Sequence, residues 1–144
     1  MLKNLSPLLT PSLLKTLCEM GHGDEIVLAD GNFPAESLNS RVIRLDAHGG
    51  AEVLKAIVSV FPLDTYAESN AVLMEKVPGD DVETPIWDEY EKILVAAEGD
   101  AVKTAHVERF AFYERAKRAY AVIATGETAL YANLILKKGV ITGK

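Results

Sequence analysis

The sequence has little cysteine and no long apolar run. Cys18 is the one cysteine among 144 residues, so neither an intramolecular disulfide nor a cysteine-based metal cluster is expected. Its place beside Leu14 and Leu17 at helical spacing predicts a core position for its side chain. No stretch of 18 consecutive apolar residues occurs, which argues against a transmembrane helix. We therefore expect no membrane partner.

The first 18 residues are rich in leucine, as a secretion signal would be. Ser6, Pro7, Thr10 and Pro11 interrupt the apolar stretch, and no cleavage site with small residues follows it. This segment is therefore predicted to be part of the fold, and the expected location is cytoplasmic.

Positive charge is also scarce. The chain carries 15 Lys and Arg against 21 Asp and Glu, a formal net charge of −6. A phosphate backbone favours clustered Lys and Arg, and such clusters occur only at 115–118 and 137–138. We therefore expect no nucleic-acid partner.

The motifs of nucleotide and metal enzymes are missing. The glycines of GHG, at 21–23, resemble the start of a dinucleotide fingerprint, but Ile26 stands where the third glycine belongs. These glycines also precede a predicted strand, whereas the fingerprint follows one. The sequence contains no P-loop, metalloprotease helix or nucleophile elbow, and no His, Cys and acid group has convincing ligand spacing. We expect neither a cofactor nor a metal.

Predicted strands and helices alternate along the chain. The predicted strands are 25–30, 41–46, 70–75, 120–126 and 133–140, and the predicted helices begin at Pro11, span 53–61, begin at Pro85 and span 107–119. This alternation predicts an α/β fold, a single layered domain over residues 1–144 with helices on both faces of a mixed β-sheet.

Two polar residues flank the first predicted strand. His22 follows a predicted helix end, and imidazole is the side chain that exchanges a proton near neutral pH. Asp30 ends the strand, at the edge where open α/β sheets place ligand groups. Each alone would also suit a surface cap or a turn. Together they predict one pocket, with both side chains on the same rim.

The fourth predicted helix adds His106, Arg109 and Tyr113, at spacings that place them on one face. Arg109 suits sugar hydroxyls or a carboxylate, and the Tyr113 hydroxyl can relay a proton. An amphipathic helix with a solvated face would show the same pattern, so the spacing alone does not decide for a site.

Three more polar side chains border predicted strands. Asp64 lies between the second helix and the third strand, in LDTY. Tyr131 and Asn133 precede the last strand, where a phenol and an amide suit the recognition of hydroxyl groups. Each is also an ordinary residue for a loop or turn.

Six fragments occur in a familiar order over essentially the whole chain. They are MGHGDEIVLADGNFP, VIRLD, LDTYAES, RFAFYERA, VIATGE and YANLILKKGV, and together they resemble the fucose branch of the RbsD/FucU sugar mutarotases. The resemblance implies an RbsD-like fold and an isomerase that interconverts the α and β anomers of a free reducing sugar, with L-fucose as the first candidate. It also implies that no cofactor or metal takes part.

The same resemblance implies residue roles and an assembly. Three residues are expected to be catalytic, namely His22, as proton donor, Asp64 and Tyr113. Four are expected to bind the sugar, namely Asp30, Arg109, Tyr131 and Asn133. The implied assembly is a homo-oligomer, a ring decamer or smaller, with pockets near subunit boundaries, and we expect Tyr131 and Asn133 to complete a neighbour's pocket.

Other functions remain open at this point. A ribose-type mutarotase would use the same proton chemistry without an apolar contact for the sugar's methyl group. A non-catalytic sugar-binding accessory protein would keep Arg109, Asp30 and Asn133 without needing His22. A metal-assisted aldolase or isomerase would lose activity in the presence of a chelator.

Overall fold

The computed structural model describes residues 1–143 and places six strands in one mixed sheet. The strands are β1 (Glu25–Ala29), β2 (Val42–Leu45), β3 (Ala71–Met74), β4 (Thr104–Val107), β5 (Ala121–Thr125) and β6 (Leu134–Lys137). Their spatial order is β2-β5-β1-β6-β3-β4. Strand β6 runs antiparallel to β1 and β3, whereas the other neighbours are parallel. The predicted mixed α/β fold is confirmed.

Helices cover both faces of the sheet. They are α1 (Pro11–Glu19), α2 (Ala35–Leu38), α3 (Gly50–Val58), α4 (Pro85–Glu98) and α5 (Arg109–Arg118), with a short 3₁₀ turn over Gly99–Ala101. Side chains alternate along a strand, so Ile26 and Leu28 join the core under α1, α3 and α4. Val27 and Ala29 join the core under α2 and α5. The site therefore rests on a sheet that is buried on both sides.

The predicted helix over 107–119 begins later than expected, because a strand precedes it. Glu108 is the N-cap of α5, and its carboxylate accepts hydrogen bonds from the amides of Phe110 and Ala111. An extended backbone at the N-cap leaves the residues before it free to pair as β4. His106 lies on this strand opposite Leu73, so the prediction that it shares a helix face with Arg109 and Tyr113 is wrong.

Helix α1 begins at the predicted signals, but its buried face is narrower than expected. The Thr10 hydroxyl accepts a hydrogen bond from the Leu13 amide, and a proline follows at the first helical position. The helix buries Leu13 and Leu17, whereas Cys18 is exposed. The prediction of a core cysteine is wrong, because Cys18 lies about 100° around the helix from Leu17.

A buried tyrosine holds the turn that leads into β6. Tyr90 is 1% exposed, and its hydroxyl donates to the Ala132 carbonyl at 2.9 Å. Burial raises the pKa of Tyr90, so the hydroxyl stays protonated. The Trp87 indole donates to the neighbouring Tyr131 carbonyl at 2.8 Å. These bonds hold Tyr131 in the left-handed backbone region, at φ 58°, where non-glycine residues are uncommon.

We predict that Tyr90→Phe destabilises the protein by about 1–3 kcal/mol, because the buried Ala132 carbonyl loses its partner. Urea denaturation measures the change in the free energy of unfolding. Tyr120→Phe is the matched control, since Tyr120 contacts Arg41 through its ring and its backbone carbonyl, not through its hydroxyl. Equal stability of the two variants would contradict the anchoring role of Tyr90.

Candidate active site

A groove of about 220 Å³ lies where β1 ends. It is smaller than the roughly 300–1,000 Å³ of pockets for drug-sized ligands. Its polar walls come from Asp30, Asn32, Asp80, Arg109, Tyr113, Tyr131 and Asn133, and its apolar walls come from Phe33, Met74, Val77 and Leu130. The mixture suits a small ligand that has several hydroxyl groups and an apolar side.

Asp30 and Asn133 form the floor of the groove. β1 and β6 are antiparallel neighbours, so the end of one strand meets the start of the other. The Asp30 amide donates to Asn133 Oδ1 at 2.8 Å, and the Asn32 amide donates to Asp30 Oδ1 at 3.0 Å. Burial raises the pKa of the Asp30 carboxyl group, although hydrogen bonds to that carboxyl group, the largest from the Asn32 amide, oppose the shift. The floor therefore presents a buried carboxyl group held in one orientation.

Arg109 and Tyr113 lie one helical turn apart on α5 and form one wall. Arg109 Nε donates to the Tyr113 hydroxyl at 3.0 Å, and this bond raises the pKa of Arg109. The Tyr113 ring meets the Phe33 ring edge-on, with 5.6 Å between centroids. Because its oxygen already accepts from Arg109, the Tyr113 hydroxyl keeps its proton available for a ligand.

Tyr131 forms the opposite wall and contacts the segment that follows β3. Its hydroxyl donates to Asp80 Oδ2 at 2.5 Å and accepts from the Val77 amide at 3.1 Å. The hydrogen bond to Asp80 raises the pKa of Tyr131. The four sugar-binding residues expected from the sequence, together with Tyr113, therefore line one groove.

His22 and Asp64 form a second polar cluster. His22 Nε2 lies 3.0 Å from Asp64 Oδ1, and the same oxygen accepts a hydrogen bond from the Tyr66 amide. Asp64 is 5% exposed, whereas the His22 side chain is 46% exposed. Burial alone would raise the pKa of Asp64, but the bonds from Tyr66 and His22 outweigh it and lower the pKa below 3.8.

The turn that carries His22 is braced on both sides. The Gly21 amide donates to Asp24 Oδ2 at 2.7 Å, and the Gly23 amide donates to the Lys138 carbonyl at 2.8 Å. Lys138 Nζ donates to two carbonyl groups near the end of α1, at 2.7 and 2.6 Å. These contacts hold the backbone of the turn in place and thereby position the His22 side chain.

The two clusters lie at opposite edges of the sheet. His22 precedes β1 and Asp30 follows it, so five strand residues separate them, a length of roughly 16 Å. Strand β6, which has four residues, separates a second pair in the same way, because Asn133 precedes it and the Asp64 amide donates to the Lys137 carbonyl at its other end. Within one chain, His22 and Asp30 therefore do not share one rim as predicted, because a strand carries its two ends to opposite edges.

The other two histidines lie outside both clusters. The His106 ring tilts against Trp87 with centroids 4.8 Å apart, and His48 Nδ1 lies 3.1 Å from Glu52. Within residues 1–143, no group of three or more His, Cys, Asp or Glu side chains is arranged to hold a metal ion. None of the helices in that range has the length and apolar character needed to cross a membrane.

Sequence patterns missed several groove residues. Asn32 and Phe33 lie in the quoted stretch after β1, and Met74 ends a buried strand. Asp80 and Val77 lie in a loop with no periodic pattern, and Leu130 is an exposed apolar residue before Tyr131. Position near the end of a strand is the one sequence signal that points to Asn32, Phe33 and Met74. The three loop residues are found only from the three-dimensional structure.

Comparisons with known proteins agree on one family. Residues 3–141 match the RbsD / FucU transport protein family. The chain is 56% identical over 146 residues to the fucose mutarotase of Homo sapiens, covering 97% of this chain and 94% of that protein. Two solved structures are close. One is FucU from Bifidobacterium longum, with 58% identity, TM-score 0.94 and coverage of 97% of this chain and 100% of that one.

The second is the fucose mutarotase of Streptococcus pneumoniae in complex with L-fucose. It is 48% identical, with a TM-score of 0.93 and coverage of 98% of this chain and 100% of that one.

We predict that His22→Ala raises the pKa of Asp64, because the carboxylate loses one of its two partners. In the unmodified protein, the contact between His22 and Asp64 stabilises the fold at pH values above 3.8, the ordinary pKa of an aspartate. This contribution is lost as the pH falls through the lowered pKa of Asp64. Carboxyl-carbon NMR titration measures the shift. His48→Ala is the control and leaves Asp64 unchanged. An unchanged Asp64 in His22→Ala would argue against the pair.

Proposed function

Because this chain belongs to the RbsD/FucU family, we propose that it is a mutarotase that interconverts the α and β anomers of L-fucose. The proposal is carried by the near full-length similarity to proteins named fucose mutarotase, one of them solved with L-fucose. The groove supports it, since polar groups face an apolar wall. A 6-deoxy sugar has several hydroxyl groups and one methyl group, which matches such walls.

The reaction needs two proton transfers. One proton goes to the ring oxygen as its bond to the anomeric carbon breaks, and one leaves the anomeric hydroxyl as the carbonyl forms. The open-chain aldehyde then rotates, and the same steps in reverse close the ring on the other face. Side chains that hold and move protons are sufficient for these steps.

We assign the proton delivered to the ring oxygen to His22. Its Nε2 faces Asp64, which leaves Nδ1 as the nitrogen that exchanges a proton with the sugar. Asp64, which the resemblance marks as catalytic, stabilises the imidazolium form and orients the ring in this scheme. Tyr113 relays the proton that leaves the anomeric hydroxyl: its oxygen accepts this proton while its own hydroxyl proton passes to solvent water. Arg109 orients the tyrosine through the bond from Nε. The two roles exchange when the reaction runs in the other direction.

The separation of the two clusters leads to an oligomeric site. A sugar that contacts Asp30 and Tyr113 cannot also reach the His22 imidazole of the same chain, because the length of β1, roughly 16 Å, lies between them. We propose that His22 and Asp64 of one copy face the groove of a neighbouring copy in a homo-oligomer. A contact between the His22 end of one copy and the groove of the next is compatible with a closed ring or with a two-fold symmetric dimer. Tyr131 and Asn133 then serve their own chain's groove, the reverse of the exchange expected from the sequence.

Two other functions and the compartment are decided by simple measurements. A ribose-type mutarotase would accelerate D-ribose exchange as well as that of L-fucose, and an accessory protein would bind L-fucose without accelerating exchange. NMR exchange spectroscopy on both sugars separates the three cases. The cytoplasmic location stays a prediction, and fractionation of the source cells tests it.

We predict that His22→Ala lowers the rate of catalysed L-fucose anomer exchange by about 10²- to 10⁴-fold, the usual contribution of one positioned acid–base group. NMR saturation transfer between the two anomeric protons measures the rate. His48→Ala is the matched control, because that imidazole contacts Glu52 and lies outside the groove. A wild-type rate in His22→Ala would refute the assignment.

We also predict that two inactive variants restore activity when mixed. His22→Ala keeps an intact groove, and Arg109→Ala keeps an intact imidazole, so a shared site forms wherever the two meet. Random subunit exchange at equal amounts should restore about one quarter of the wild-type rate. Native mass spectrometry verifies the mixing. Fully mixed oligomers without recovered activity would place both residues in one copy's site.

A further inference from the structure

Asp80 is the one charged residue of the groove that has no part in the scheme above. Asp80 lies in segment 75–84, between β3 and α4, and its carboxylate accepts the hydrogen bond from the Tyr131 hydroxyl. It lines the groove together with Val77 and Tyr131. The contact joins residues that are 51 positions apart in the chain, so it connects the segment to the wall of the groove.

The backbone around Asp80 forms a turn that closes on Tyr131. The Asp80 amide donates to the Val77 carbonyl at 3.0 Å, and Gly79 supplies the positive φ, 89°, at the third position of the turn. Proline at the second position and glycine at the third are typical of a type II turn. The Tyr131 hydroxyl contacts both ends, since it accepts from the Val77 amide and donates to the Asp80 carboxylate.

This arrangement fixes the hydrogen-bonding role of Tyr131. A phenol has one proton to donate, and Asp80 takes it. The oxygen already accepts from the Val77 amide, so it can meet a ligand only by accepting a second hydrogen bond through its remaining lone pair, whereas Arg109 can only donate. A sugar hydroxyl that contacts both residues therefore donates to Tyr131 and accepts from Arg109.

We propose that Asp80 is a positioning residue that commits Tyr131 to accept a hydrogen bond from a sugar hydroxyl and holds segment 75–84 against the groove. The inference rests on the proposed function, and it extends that function to the selection of sugars by the direction of their hydroxyl groups. Asp80 itself acts through Tyr131. It contributes to binding more than to proton transfer.

Binding of L-fucose tests the role without relying on turnover. Calorimetry gives the Kd for the unmodified protein and for Asp80→Ala, Asp80→Asn and Tyr131→Phe. We expect Asp80→Ala to raise the Kd by about 2- to 10-fold, the effect of losing one hydrogen bond. Asp80→Asn should recover part of the loss, since an amide oxygen still accepts from the phenol. Asp81→Ala is the matched control, because Asp81 is the neighbouring exposed acid and does not line the groove.

The double variant separates positioning from general damage to the structure. If Asp80 acts through Tyr131, adding Asp80→Ala to Tyr131→Phe raises the Kd no further. In exchange assays the KM should rise in step with the Kd while kcat changes little. Equal Kd values for Asp80→Ala and Asp81→Ala, or independent effects that multiply in the double variant, would overturn the inference. Failure of the unmodified protein to exchange the anomers while it binds L-fucose would overturn the proposed function alone.

Discussion

The length of one strand governs the arrangement of the proposed site. β1 has five residues and is buried on both faces, so it acts as a rigid spacer of roughly 16 Å between His22 and Asp30. The antiparallel partner β6, which has four residues, also has a polar group at each end, with Asn133 before it and Asp64 hydrogen-bonded to Lys137. Shortening either strand would break the backbone hydrogen bonds that pair it with its neighbours. In the proposed scheme, proton chemistry at one edge and sugar binding at the other therefore meet through a second copy of the chain.

The groove and the imidazole cluster differ in how they control charge. Burial acts on Asp30 and raises the pKa of its carboxyl group. At Asp64, hydrogen bonds outweigh burial and keep the carboxylate charged beside His22. One edge thus offers a carboxyl group whose pKa burial raises, and the other offers a carboxylate that is hydrogen-bonded to His22. This division suits a reaction that moves protons and forms no bond to the protein.

The sequence predicted the central strands and the longer helices because their apolar patterns are continuous, as in IVLA of β1 and the i, i+4, i+7 face of α4. It failed at β4, whose four residues alternate in burial and adjoin a helix start. It also failed to show that His22 and Asp30 lie apart within one chain, since the two ends of a strand lie at opposite edges of the sheet. Asp80 had no sequence signal, because its partner Tyr131 is 51 residues away.

The most direct test of the divided site is a crystal structure of the assembled protein with L-fucose bound. The account predicts one sugar held by Asp30, Arg109 and Asn133 of one copy, with the His22 imidazole of a second copy within hydrogen-bonding distance of its ring oxygen. A sugar held in the groove with no His22 from any copy near its ring oxygen would contradict the account.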